Sequence, residues 1–186
     1  MLNTTDAIVL SLQPHSDKAH VLHAYTRAGG RVNYMVYGLG RKNTSGRYTP
    51  LSVLQITSDE RSVRTAQLAF VPRTIDTDPY KRTIALFISE VLYHVLRHPM
   101  PDEPMYEFIA GAVQALDEES EPRNFHLRFL MDFAAKLGFA MEEEPLLPAT
   151  RKERQELLRT LCEYFEEHVE TWQEPKSIAV LMEVFD

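Results

Sequence analysis

Six cations, Lys18, Arg27, Arg31, Arg41, Lys42 and Arg47, fall in a stretch between Asp17 and Asp59 that holds no acidic residue. Four tyrosines, Tyr25, Tyr34, Tyr37 and Tyr48, are interleaved with them. Binding a single-stranded nucleic acid needs positive charge along the backbone and π-faces on which bases stack, and this composition supplies both. Arg41, Lys42 and Arg47 lead the candidates, because the glycine-punctuated run from Gly38 to Gly46 gives them no core role. Arg31, Lys18 and Tyr37 complete the set expected to touch the nucleic acid. The competing reading makes the tyrosines core residues and the cations ordinary solvated charges.

Other chemistries find less support. Gly38-Leu-Gly40 lacks both the spacing of a Walker loop and the third glycine of a dinucleotide fingerprint, where Asn43 stands instead. His15, His20 and His23 with Asp17 suggest a metal site, but His20 and His23 on one strand point to opposite faces. Cys162 is the only cysteine and sits in an apolar helical stripe, as a packed, inert thiol does. No serine has the setting of a nucleophile. The reading is therefore a protein that acts by binding rather than as an enzyme, with no metal and no cofactor.

The elements that must position these residues change character near residue 78. Before it, Ala7–Leu12 (stopped by Pro14), Val21–Thr26, Arg31–Tyr37, Leu51–Thr57 and Ala66–Val71 read as five short strands broken by Gly, Pro and Asn. Such a series suggests a five-stranded Greek-key barrel of the OB type, with a small sandwich as the alternative. After Asp78, a helix cap, and Pro79, a first-turn residue, the apolar spacing becomes helical. Ile84 to Val95, Met105 to Leu116 and Leu127 to Ala134 form three stripes. Thr150-Arg-Lys-Glu153 is a capping box opening a fourth helix, and Ile178 to Val184 a short fifth. The fold class is α+β in two domains: an OB-type barrel over 1–78 and an all-α bundle over 79–186.

Charge follows the same division. The 186 residues carry 20 Lys+Arg and 27 Asp+Glu, a net charge of −7. Residues 1–83 hold 11 basic and 6 acidic side chains, and residues 84–186 hold 9 and 21. The first half suits a polyanionic partner, and the field of the second repels one. No apolar run approaches a membrane span, and the N-terminus has neither the basic flank nor the apolar core of a signal peptide, so a cytoplasmic protein is expected.

Ordered stretches along the chain carry a resemblance. His15-Ser-Asp-Lys-Ala-His20, Tyr25-Thr26 followed by Gly29-Gly30, Tyr37-Gly-Leu-Gly-Arg-Lys42 and Pro50-Leu51 form the first group. Ala85 to Glu90, Pro104 to Phe108, Phe125 to Leu130, Leu137-Gly-Phe139, Arg154 to His168 and Lys176 to Phe185 form the second. Together they resemble the RecO family of bacterial recombination mediators, in its Bacteroidetes-type form. The resemblance implies an OB domain and a helical domain that bind single- and double-stranded DNA and anneal strands. It further implies recombinase loading, with RecR, onto DNA coated by single-stranded-DNA-binding protein. Arg123 and Arg128 are the cations it suggests for that protein's acidic C-terminal tail. One departure is large: many members carry a four-cysteine zinc module after Leu-Gly-Phe, whereas here Phe139 runs into Ala-Met-Glu-Glu-Glu, which reads as an internal loss. The alternative to a recombination role is an OB-fold module that binds protein or RNA; a metal-dependent nuclease ranks below both.

Overall fold

The computed structural model describes residues 1–39 and 45–184. Five antiparallel strands come first: β1 (Asn3–Ser16), β2 (Ala19–Thr26), β3 (Gly30–Tyr37), β4 (Val53–Ser58) and β5 (Val63–Leu68). Five helices follow: α1 (Pro79–Val95), α2 (Glu103–Glu118), α3 (Phe125–Lys136), α4 (Arg151–His168) and α5 (Ile178–Val184). The sheet order is β3-β2-β1-β4-β5. The outer strands β3 and β5 share no ladder; they meet at one parallel bridge, Met35 to Ser62, where the Met35 N–H donates to the Arg61 carbonyl at 2.6 Å. This is an OB-like sheet curled toward closure rather than a sealed barrel. Its interior is filled by Ala7, Val9, Leu22, Ala24, Tyr34, Val36, Tyr48, Leu54, Ile56 and Ala66.

β2, β3 and β4 shift by one or two residues from their expected limits, and β1 and β5 depart by more. Pro14 does not stop β1, which continues to Ser16. The ladder to β4 covers Asn3–Ile8, and Val9 adds main-chain bonds to Leu51 and Ser52 just before β4, so by Pro14 the only strand paired with β1 is β2. A proline there has a free side for its missing donor, and the register shift between Pro14 and Ser16 absorbs its ring. β5 begins at Val63 rather than Ala66. Asp59 sets that start: its carboxylate accepts the backbone N–H groups of Arg61 (3.2 Å) and Ser62 (2.9 Å) and closes the turn from β4. Only Ala66 of β5 is buried, so the strand has almost no apolar signal.

The chain groups into two compact units, residues 1–72 with 96–111, and residues 73–95 with 112–186. In the first, the strap 96–102 is fastened to β3. The Arg31 N–H donates to the His98 carbonyl at 3.1 Å, and the Arg31 guanidinium donates to the Leu96 carbonyl at 3.3 Å. In the second unit the helices start where the capping residues predict. Asp78 accepts the Tyr80 N–H at 2.8 Å, and Thr150 and Glu153 form the reciprocal capping box. The core there is aromatic, with Phe133 stacked between Phe129 (5.6 Å) and Phe165 (5.9 Å). Glu90 of α1 caps α5, accepting the N–H groups of Lys176 (2.9 Å) and Ser177 (3.0 Å). Cys162 is buried and burial pushes its thiol up to about 12, so it is protonated at neutral pH. Among the described residues no helix is long and apolar enough to cross a membrane.

Candidate nucleic-acid interface

Burial separates the four tyrosines. Tyr25, Tyr34 and Tyr48 are 4%, 7% and 7% exposed and serve the core, whereas Tyr37 is 61% exposed. Tyr37 ends β3 opposite Ala19, the first residue of β2. The turn before Ala19 carries the exposed Lys18, and the Gly38 N–H donates to the Lys18 carbonyl at 3.3 Å. One cation and one open aromatic face therefore share an end of the sheet. Gly38, with φ +75°, turns the chain away immediately after Tyr37, a conformation that favours glycine. Arg41 and Lys42 follow in sequence and lie outside the described residues.

The remaining cations of the acid-free stretch are elsewhere. Arg31 is six residues from Tyr37 at the other end of β3, about 20 Å away at a strand's rise. Arg47, in a single 3₁₀ turn, is half-buried and donates to the Ala66 carbonyl of β5, so it fastens its loop to the sheet. Arg27 pairs with Asp6 (3.7 Å), Glu103 (3.0 Å) and Glu107 and lies over the Tyr106 ring at 4.4 Å, which spends its charge inside the first unit. His23, half-buried, faces Asn33 across the β2–β3 pair at 2.7 Å, and burial holds it below the usual histidine range. Among the described residues no three His, Cys, Asp or Glu side chains gather as a metal would require.

The helical unit holds the two cations expected to meet a partner. Arg123 is exposed, in the 3₁₀ turn before α3. Arg128 is only half-exposed and is ion-paired with Glu119. Sequence reasoning missed a small, mostly apolar pocket nearby, lined by His126, Arg151, Arg154, Gln155, Leu158, Leu181 and Met182. Arg154 is 8% exposed and donates to the Ala149 carbonyl at 3.3 Å. Burial, then the charge of Arg123, hold its guanidinium below the usual range. Burial and then Arg154 push His126 down to about 3, so its imidazole is neutral. The available signal was the i, i+3 spacing of Arg151 and Arg154, which puts both on one face of α4.

Comparison with known proteins agrees with this anatomy. Residues 1–70 match the family described as Recombination protein O N terminal, and residues 76–144 the family Recombination protein O C terminal. The chain is 33% identical over 150 residues to the DNA repair protein RecO of Porphyromonas gingivalis, covering 74% of this chain and 61% of that one. It is 34% identical over 149 residues to the RecO of Phocaeicola vulgatus, with the same coverage. The chain thus spans about three fifths of the length of these relatives. Against the RecO of Christiangramia forsetii the alignment covers all of both chains at 24% identity over 238 positions. With 186 residues here, at least 52 of those positions face gaps within this chain, in keeping with the internal loss read from the sequence. The matches at both ends of the fold, strand-rich and helical, make this chain a member of the RecO family.

Proposed function

We propose that the chain is a DNA-repair and recombination mediator that works by binding DNA, without covalent chemistry. The observation that carries this is the exposed Tyr37 beside Lys18 at one end of an OB-like sheet in a RecO-family chain. A cation there neutralises a phosphate and the phenol ring offers a stacking face, which leaves Watson–Crick edges open for a complementary strand. Annealing is downhill once repulsion between strands is screened, so no nucleotide hydrolysis is required. Single- and double-stranded DNA are the substrates of this reading. RecR is the loading partner, and the acidic tail of single-stranded-DNA-binding protein is a ligand for the helical unit at Arg123 and Arg128. Because Glu119 already pairs with Arg128, Arg123 is the stronger of the two.

An electrophoretic assay with single-stranded DNA and RNA of matched sequence tests the reading. Retardation of DNA with no cleavage in magnesium is the expected result. Preference for RNA would transfer the chain to the RNA-binding class, and magnesium-dependent cleavage to the nucleases. Variants at Lys18, Tyr37, Arg41 and Lys42 suit this assay better than any at Arg47. Removing the charged donor from the Ala66 carbonyl costs stability by itself, about 1.5–3 kcal/mol.

A further inference from the structure

The outer face of the β2–β3 pair carries a polar group that the core does not explain. Along β3, Val32, Tyr34 and Val36 turn inward, so Arg31, Asn33, Met35 and Tyr37 share the opposite face. His23 and Val21 of β2 stand across from Asn33 and Met35 on that face. Asn33 is exposed, and two neighbours fix its amide. His23 Nδ1 lies 2.7 Å from its Oδ1, and Arg31 Nε donates to the same oxygen at 3.5 Å. A guanidinium can only donate, so the amide atom it faces is the oxygen, and His23 Nδ1 carries the hydrogen. The Nδ2 hydrogens have no acceptor among the described residues. Asn33 therefore holds a donor of set orientation on the sheet face, four residues from Tyr37 and about 14 Å away at a strand's rise.

We infer that Asn33 is a base contact for single-stranded DNA, its Nδ2 donating to a carbonyl oxygen of an unstacked base. The amide oxygen is engaged by His23 and Arg31, so the two-bond pairing of asparagine with adenine is closed to it. A lone donor suits the keto oxygens that thymine presents. Val21 and Met35, the next cross-strand pair and only partly buried, give the thymine methyl an apolar neighbour. The inference rests on the DNA-binding reading above and adds to it a hydrogen bond to the bases, which a phosphate contact does not supply.

The test is fluorescence anisotropy with two labelled probes, an oligothymidylate of about 16 nucleotides and an abasic oligomer of the same length. Wild type, Asn33→Ala and Lys18→Ala are titrated as full chains at several salt concentrations. Asn33→Ala is expected to bind the oligothymidylate about two- to tenfold more weakly, the worth of one net hydrogen bond. Its salt slope should equal that of wild type, because no phosphate contact is lost. On the abasic oligomer it should match wild type. Its melting should match too, since the bonds that Asn33 accepts are open to water. Undiminished affinity of Asn33→Ala for the oligothymidylate, or an equal loss on both probes, overturns the inference. A shallower slope for Lys18→Ala in the same titrations then shows that the DNA-binding reading stands without it. If wild type binds neither probe, the DNA-binding reading has failed and the base contact falls with it.

Discussion

Asp117→Ala is expected to lower the stability of the helical unit by about 3–5 kcal/mol, the range seen when one member of a buried charged network is removed. Asp117 is 6% exposed, near the C-terminal end of α2. Its carboxylate accepts the N–H groups of Arg73 (2.9 Å), Thr74 (2.8 Å) and Ile75 (3.0 Å), and so fixes the segment leading into α1. Lys81, 3% exposed, donates to the Asp117 main-chain carbonyl and to the Thr74 hydroxyl, both at 2.7 Å. Alanine would leave three main-chain donors without this acceptor, the buried one of Ile75 and the part-buried ones of Arg73 and Thr74; an unsatisfied buried donor costs about 1–3 kcal/mol, and water recovers part of the loss at the other two. Asp117→Asn should fall between, because an amide oxygen replaces some of the bonds while its NH₂ meets the Arg73 N–H. The pH dependence has a definite sign. Burial raises the Asp117 carboxyl, but the backbone donors outweigh it and leave the group below its ordinary value. Its contribution is therefore complete above the unfolded value of about 3.9 and is lost as pH falls through the folded one. Urea unfolding should show a constant gap between wild type and variant from neutral pH to about pH 5, narrowing below about pH 4.

Gly30→Ala should destabilise the strand-rich unit by about 2–5 kcal/mol through two separate costs. Gly30 has φ +61°, where a side chain costs about 1–2 kcal/mol. A Cβ at this position would also stand 2.1 Å from the Met100 carbonyl oxygen and 2.9 Å from that of His98, both backbone atoms that cannot swing aside. Relief requires the strap to move off β3, breaking the bond from the Arg31 N–H to His98. Gly111 supplies the control, since it is exposed in α2 and a Cβ there meets nothing within 4 Å. Gly111→Ala is expected to raise stability by about 0.5–1 kcal/mol. At about 2–4 °C per kcal/mol for a chain of this size, the two alanine variants should move the melting temperature in opposite directions and be easily separated. Equal effects would mean that the close approach of Gly30 to the strap is absent in solution.

These two residues also mark where the sequence stopped being legible. Strand and helix identity came through because period, glycine breaks and capping chemistry agreed, as in Asp78-Pro79 and the box at Thr150. Strand limits came through less well: Pro14 reads as a stop unless the pairing on each side of β1 is known, and β5 buries a single alanine. Asp117 was hidden among acidic residues that mostly form solvated helix faces. Its partners are backbone N–H groups 42–44 residues away, which no side-chain pattern reveals. The strap escaped for the same reason, since its ties to β3 run through carbonyls. In the candidate interface, Lys18 and Tyr37 were chosen for charge and aromaticity, and tertiary burial then separated Tyr37 from the three core tyrosines. Arg47 was read as a bare loop charge because its acceptor, the Ala66 carbonyl, is likewise backbone.

The central claim, that this RecO-family chain binds DNA through the Lys18–Tyr37 end of its sheet, is tested most directly by one salt-dependent titration of single-stranded DNA. The full chain is compared with the double variant Lys18→Ala, Tyr37→Ala, and Arg151→Ala serves as the control. Arg151 sits on α4 in the helical unit and donates to the Met182 carbonyl at 2.9 Å. The predicted result is a double variant that folds normally, binds more weakly on every sequence and has a salt slope shallower by about 0.7, beside an Arg151→Ala control that matches wild type. A folded double variant that keeps both the affinity and the slope of wild type would contradict the account.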